Sequence, residues 1–487
     1  MSNELFYGDN LEVLRHNLGD ETVDLCYIDP PFHSKRNYNQ VYNNLGSKGR
    51  AQAQAFADTW TWDAVAIEGL RQILDNDSGR FTRQTVELIN GLHRVLGEGS
   101  LLAYLVSITL RVAEIHRVLS STGSFYLHCD PTASHYLKLV LDSVFVPRGG
   151  DFQNEIVWHY MTGGASKSHY AKKHDVLLYY TKSSRYNFYP DRIKEPRSEK
   201  ALARARNPKG ARISSGDTTK LPTDVWTIPA LNPMSVERSG YPTQKPADLL
   251  RRVITASSDV GDTVLDAYCG CGTTIAVAQA LGRKWVGIDI TYQSIALVLK
   301  RLEEQFGAGV TTSIKLHGIP RDMESAAALA SRKDSRLRKE FEKWAVLTYT
   351  DNRARINDRK GGGDGIDGIA FFSTDASDNA KVVFQVKCGN VGRGDVAKLN
   401  GERVREGAEL AVLLTLQPPA RGMRDEADAA GTYEQKPAGR SYPRIQIVTI
   451  QEIVEQHKRL EIPAAIEVSK TAPTIAQGEQ PQLLTDE

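Results

Sequence analysis

The chain has 487 residues, of which 41% are hydrophobic and 25% charged, with a formal net charge of +2. That length calls for two or more domains, and that apolar content excludes a disordered chain. No apolar run reaches the roughly 18 residues of a membrane span, no secretory pattern is evident, and five cysteines are few and odd in number for a disulfide framework. A reducing cytoplasm is the expected compartment.

In chain order, Phe6-Tyr7-Gly8-Asp9-Asn10 ends a short apolar run on an acid, which can cap a helix or border a flat ring. Leu25–Ile28 reads as a buried strand with Asp29-Pro30-Pro31-Phe32 at its mouth. An acid, two rigid prolines and an aromatic ring suit chemistry on an exocyclic amino group. The ring can stack on a base drawn out of its helix. The Asp29 carboxylate can accept one amine N–H and a proline-fixed carbonyl another. Both bonds draw the nitrogen lone pair out of conjugation, so that it can attack an electrophilic methyl group. Taken alone, the tetrapeptide reads equally well as a strand running into a Pro-Pro turn.

Residues 161–220 hold fourteen Lys/Arg against five Asp/Glu, so +9, which leaves −7 (2 − 9) for the rest of the chain. Tyr170, Tyr179, Tyr180, Tyr186, Phe188 and Tyr189 interleave with these charges. Basic groups can neutralise phosphates and aromatics can meet bases. After Pro190 the periodicity fades, which suggests long loops. Tyr241–Pro246 then opens a predicted helix over Ala247–Ala256, and Thr243, Gln244 and Lys245 can hold a ligand carboxylate. Residues 263–290 read as strand (Thr263–Ala267), glycine loop (Gly270, Gly272), helix (from Thr273), strand (Lys284–Ile288) and acid (Asp289). This is the order of a nucleoside-binding βαβ unit, with Asp266 before the loop. It is neither a GxGxxG fingerprint nor a P-loop, so a nucleoside with a small charged tail fits better than a pyrophosphate. Cys269-Gly270-Cys271 is too tight for a zinc pair.

Gly318-Ile319-Pro320 ends this pattern, and Arg321–Leu329 reads as a connecting helix. Arg332–Leu347 is a charged helix that should bury Phe341, Trp344 and Ala345. A glycine turn from 361 leads into a strand over Ile366–Phe372, and a second strand follows over Lys381–Gly389. Asp367 on the first and Gln385-Val386-Lys387 on the second can meet across a hairpin. Such an acid can hold Mg²⁺ or Mn²⁺, and such a lysine can orient water for phosphodiester hydrolysis. Strand-like runs over Leu410–Pro419 and Tyr442–Ile450 flank a helix at Gly422–Gly431 and a loop at Gly431–Arg440. The Pro/Gln/Thr-rich tail after Ile462 should fray.

The order of Asp29–Phe32, then Val157–Gly240, then Tyr241–Pro246 and Asp266–Thr274, resembles the permuted (beta-group) amino-group DNA methyltransferases. The stretches 124–145, 154–160 and 174–183 add to the resemblance, which spans residues 4–305. It implies an α/β fold: a Rossmann-like S-adenosylmethionine-dependent methyltransferase domain over 1–320, with a target-recognition insert at 161–240. It implies catalytic roles for Asp29, Pro30, Pro31 and Phe32, and cofactor contacts from Asp9, Thr243, Lys245, Asp266, Cys269, Gly270, Gly272, Thr273 and Asp289. Asp266-Ala267-Tyr268-Cys269 departs from the Asp-Pro-Phe usual before the loop. By family pattern, Asp29 favours adenine N6, with cytosine N4 the alternative. The implied partner is double-stranded DNA, with no membrane, and a homodimer is allowed. Residues 332–462, after a linker at 321–331, resemble an Mrr-like restriction endonuclease domain, a smaller α/β unit before the tail 463–487. There Asp367 would be the metal-binding acid, Gln385 and Lys387 the strand motif, and Glu342 the first-helix acid. The family usually has an acid where Gln385 stands, so a domain that cleaves DNA and one that only binds it are both open.

Overall fold

The computed structural model describes residues 2–32, 37–41, 52–57, 60–160, 167–205, 218–232, 235, 237–239, 241, 243–320, 322–331, 335–350, 354–357, 365–373, 379–435 and 440–460. The expected glycine turn at 361–364, the tail 463–487, and residues 161–166 and 206–217 of the recognition segment lie outside these.

The N-terminal body is built on nine strands: β1 (Glu4–Tyr7), β2 (Val23–Ile28), β3 (Leu119–Cys129), β4 (Asp151–His159), β5 (His174–Thr181), β6 (Val225–Thr227), β7 (Thr263–Asp266), β8 (Lys284–Asp289) and β9 (Lys315–His317). They form one sheet in the order β6-β4-β5-β3-β2-β7-β8-β1-β9. Every pairing is parallel except those of β5, which runs antiparallel to both β3 and β4. A parallel sheet covered on both faces needs strands that are apolar throughout. β2 meets this need: Cys26 and Ile28 face the core under the helix Ser100–Val118, while Leu25 and Tyr27 face the core under the helices Ala247–Ser257 and Thr273–Ala280. The strand and helix expectations for 247–289 match to within a residue or so at each boundary.

β5 corrects one expectation. Part of the stretch read as a recognition insert is an inner strand of the main sheet, and Tyr179 and Tyr180 are buried in its two cores. Its run of Val, Leu, Leu, Tyr and Tyr fills both faces, leaving neither tyrosine free to meet a base. Tyr170, Tyr186 and Phe188 do stand exposed.

The C-terminal body holds five strands, β10 (Arg355–Ile356), β11 (Gly368–Ser373), β12 (Asn379–Lys387), β13 (Leu410–Thr415) and β14 (Ile445–Thr449), paired in that order. The first three are mutually antiparallel, and the last three are parallel. The helix Ser335–Tyr349 covers one face through Phe341, Trp344 and Ala345, all buried as expected. The helix Arg393–Arg405 lies on the other face, through Val396 and Leu399. One expectation changes. The region 431–440, read as a loop, contains the strand Thr432–Gln435, which pairs with Arg440–Pro443; Tyr433 faces Tyr442 across the ladder and packs edge-on to Phe372. The connecting helix expected over Arg321–Leu329 is present as Met323–Ala330, and its Ala326 and Ala330 are buried in the C-terminal core.

The two bodies meet at the helix Ser335–Tyr349. Tyr7 donates a 2.8 Å hydrogen bond to Glu340, and Thr348 donates one of 3.0 Å to the Tyr292 hydroxyl. Among the described residues, no helix is long and apolar enough to cross a membrane.

Candidate active site

The sheet order places the C-terminal ends of β1, β2, β7 and β8 side by side, and the loops leaving them surround a cavity of about 890 Å³. That is the size range of small-molecule and cofactor sites. Asp9, Asp29–Phe32, Thr243, Lys245, Asp266, Cys269, Gly270, Thr273 and Asp289 all line it, although the sequence scatters them over 281 positions (289 − 9 + 1). Gly272 does not. It has φ +73°, and a Cβ there would lie 2.8 Å from Val298, so its glycine serves the packing of the helix Tyr292–Phe306. Gly270, at φ +49°, faces the ring of Tyr241, 3.3 Å from where a Cβ would sit.

Asp289 acts first as a brace for the glycine loop. Its Oδ2 accepts from the Gly270 N–H at 3.0 Å, and its Oδ1 accepts from the Thr291 N–H and hydroxyl, both at 2.9 Å. Asp266 accepts from the Tyr268 N–H at 3.0 Å and lies deep in the sheet. Burial pushes its carboxyl up to about 7, with Asp29 and Asp289 adding to the rise. Burial raises Asp289 as well. Asp9 caps the helix Asn10–Asn17 through the Leu11 N–H, 2.8 Å, and pairs with Arg111 at 3.0 Å.

Asp29 follows β2 directly. The Lys245 ammonium lies 2.5 Å from its Oδ2 and 5.1 Å from the centre of the Phe32 ring. The expectation for Lys245 was a ligand carboxylate; its observed partner is Asp29. Behind Phe32 runs a buried polar chain. The ring of His128 lies 5.8 Å from Phe32, its Nδ1 is 2.7 Å from the Tyr27 hydroxyl and its Nε2 is 3.3 Å from Asp175. Tyr160 donates to the other oxygen of Asp175 at 3.2 Å. This chain fixes the floor on which Phe32 rests.

The residues not anticipated are Asn10, Arg111 and Tyr241. Asn10 donates to the Ala267 carbonyl at 2.7 Å and accepts from Arg111 at 2.5 Å, joining the loop after β1 to the loop after β7. Arg111 had a readable signal, a single arginine within the apolar run Leu101–Ala113. Asn10 and Tyr241 lay within quoted motifs, with nothing to single them out.

In the C-terminal body, Asp367 accepts from the Val386 N–H at 2.7 Å. Burial pushes its carboxyl up to about 7, the nearby Glu342 adds to the rise and Lys387 opposes it. Asp367 therefore lies within electrostatic reach of both Glu342 and Lys387. Lys387 lies 3.8 Å from Asp395. Gln385 turns its amide to the Gly365 carbonyl. Among the described residues, no group of three His, Cys, Asp or Glu is placed to hold a metal.

A family model described as DNA methylase matches residues 23–300, more than half of the chain. The chain belongs to the DNA methylase family. A second model, described as restriction endonuclease, matches residues 337–455. The chain is 36% identical over 198 residues to DNA adenine methyltransferase YhdJ of Escherichia coli (strain K12), covering 39% of the chain and 64% of that relative. It is 31% identical over 211 residues to the type II methyltransferase M.HpaI of Haemophilus parainfluenzae, covering 43% and 63%. The chain thus spans slightly less than two thirds of the length of either. A DNA modification methylase from Thermus thermophilus, complexed with S-adenosyl-L-methionine, is 17% identical, with a TM-score of 0.36 over 65% of this chain and 98% of that one. The cytosine-N4-specific PvuII DNA methyltransferase is 12% identical, with a TM-score of 0.39 over 65% and 95%. Scores this low carry no functional weight.

Proposed function

We propose that this chain moves a methyl group from S-adenosylmethionine to the N6 amino group of adenine in double-stranded DNA. One observation carries the reading: Asp29–Phe32 and the Asp266–Cys271 loop line a single cavity, although more than 200 residues separate them in the chain (266 − 32 = 234). The membership in the DNA methylase family supports it. When bound, the cofactor supplies the electrophilic methyl group. Asp289, Gly270, Asp266, Cys269, Thr273, Asp9 and Thr243 form the binding set, and Gly272 supports it from beneath. Phe32 stacks on the extruded base, while Asp29 and the Pro30 carbonyl accept the amine hydrogens. Transfer is direct and in line, so no covalent enzyme intermediate is needed. Lys245 orients the Asp29 carboxylate, leaving Oδ1 for the amine. The test is mass spectrometry of nucleosides from duplex DNA, single-stranded DNA and RNA incubated with the protein and cofactor. N6-methyladenine in duplex DNA is expected. N4-methylcytosine would move the target, and no methylated product would end the proposal.

For the C-terminal domain we infer metal-dependent DNA cleavage. Two half-buried carboxyls, Asp367 and Glu342, beside one lysine are a donor set that a divalent cation would stabilise. Asp367 and Glu342 would hold Mg²⁺ or Mn²⁺, and Lys387 would orient water. An amide at Gln385 is a poorer hard-metal ligand than a carboxylate, so slow, Mn²⁺-favoured cutting is expected. Plasmid breaks that need metal, and that stop in Asp367→Ala and Lys387→Ala, would support this. A wild type that never cuts would leave a DNA-binding domain. A cytoplasmic setting and a homodimer accord with this reading, and light scattering reads the latter.

A further inference from the structure

The helix Arg393–Arg405 lays one acid, Glu402, against the strand motif from the side opposite the helix that carries Glu342. Glu402 is 4% exposed and Gln385 is 2% exposed. Both converge on one point of the backbone. The Gln385 amide donates to the Gly365 carbonyl, and the Gly365 N–H donates to Glu402 Oε1 at 3.2 Å. A Cβ on Gly365 would collide with the Gln385 amide nitrogen and would lie 2.9 and 3.0 Å from the two Glu402 oxygens. Only a residue without a side chain leaves room for this arrangement. The remaining oxygens, Gln385 Oε1 and Glu402 Oε2, are both buried and both without a hydrogen-bond partner.

A buried carboxylate with one oxygen unmatched is costly unless a positive charge or a proton meets it. Among the described residues, no lysine or arginine pairs with Glu402. An amide oxygen and a carboxylate oxygen are hard donors of the kind that bind Mg²⁺ or Mn²⁺. They stand two residues from Asp367 along the chain at Gly365, the point on which both side chains converge. Gln385 occupies the motif position where a negative charge is wanted, and Glu402 brings such a charge to the same spot from another element.

We propose that Gln385 and Glu402 form a divalent-cation subsite beside Asp367, with Glu402 supplying the carboxylate that the strand motif lacks. The proposal rests on the metal-dependent reading of this domain. Its test reads binding rather than cleavage. Mn²⁺ is titrated into the full-length protein and free Mn²⁺ is followed by electron paramagnetic resonance. The wild type is compared with Glu402→Gln, Gln385→Glu and Asp367→Asn, each checked for folding by circular dichroism. Glu402→Gln should weaken Mn²⁺ binding at least tenfold, and Gln385→Glu, which adds a carboxylate, should tighten it several-fold. If Glu402→Gln does not fold, Gln385→Glu decides: unchanged or weaker binding overturns the proposal. If Asp367→Asn loses the metal while Glu402→Gln keeps it, the nuclease reading stands and the subsite falls. If the wild type takes up no Mn²⁺, both fall.

Discussion

Asp29 and Asp266 stand at the ends of neighbouring strands and differ in what surrounds them. Asp29 has an ammonium at 2.5 Å, whereas Asp266 is enclosed in the sheet with a main-chain N–H at 3.0 Å. Asp29→Ala should therefore cut methyl transfer by ~100-fold or more, the loss of a few kcal/mol of transition-state stabilisation. Calorimetry should show cofactor affinity nearly unchanged, and wild-type turnover in the variant would discard the proposed chemistry. Asp266 predicts a stability effect. Its folded-state pKa is raised to about 7, so the fold is most stable below the carboxyl's unfolded value and loses that stability as pH climbs through 7. Melting curves of Asp266→Asn should be flatter than those of the wild type between mildly acidic and neutral pH, with the variant the more stable near pH 8 by on the order of a few kcal/mol. Equal pH dependence in both would mean that Asp266 is less enclosed than the structure shows. The residue types at these positions were readable, because a carboxylate after an apolar run is a local pattern. The partner of Lys245 was not, because the contact joins positions 216 apart and no local pattern encodes it.

The glycine loop shows how one motif serves two ends. Gly270 faces the cavity and Tyr241, whereas Gly272 sits beneath it against Val298. Gly270→Val should weaken cofactor binding by more than its loss of stability accounts for, since its φ of +49° strains the fold while its side chain would press on Tyr241 at the cavity wall. Gly272→Val should lower the melting temperature, because a strained φ and a clash with packed helix atoms cost roughly 1–3 kcal/mol. A melt for Gly272→Val that matches wild type would contradict this division. The parallel strands and the helices between them were legible because apolar runs bounded by glycine or proline leave few alternatives. β5 was misjudged for a physical reason: its neighbours in sequence are basic and irregular, and a charge count over a window blends a core strand with the loops beside it. The pairing of Thr432–Gln435 was missed because a two-stranded ribbon leans on Phe372, a contact from a distant part of the chain.

The two bodies share more than a covalent link. Tyr292 and Ile319 pack against the C-terminal core, and Tyr7, at the end of β1, is tied to Glu340. A fragment ending at residue 320 should therefore melt below the methylase transition of the full chain; a fragment as stable as the parent would show the contact to be passive. On the proposed reading, specificity belongs to the segments between the motifs. Exchanging residues 182–235 should change which sequence is methylated, and neutralising its lysines and arginines should flatten the salt dependence of DNA binding. Unchanged base-modification maps would place recognition elsewhere. The pairing of β2 with β7 joins Leu25 to Val264 at the middle of the sheet. A ribosome adding ~5–20 residues each second takes roughly 10–50 s to travel between those two positions. Once β3 is made, β2, apolar on both faces, has that strand on one side and no neighbour yet made for the other. The nascent chain must therefore carry an open, sticky edge for close to half of its synthesis, and its yield in a cell should depend on chaperones that shield such edges more than on the stability of the finished protein.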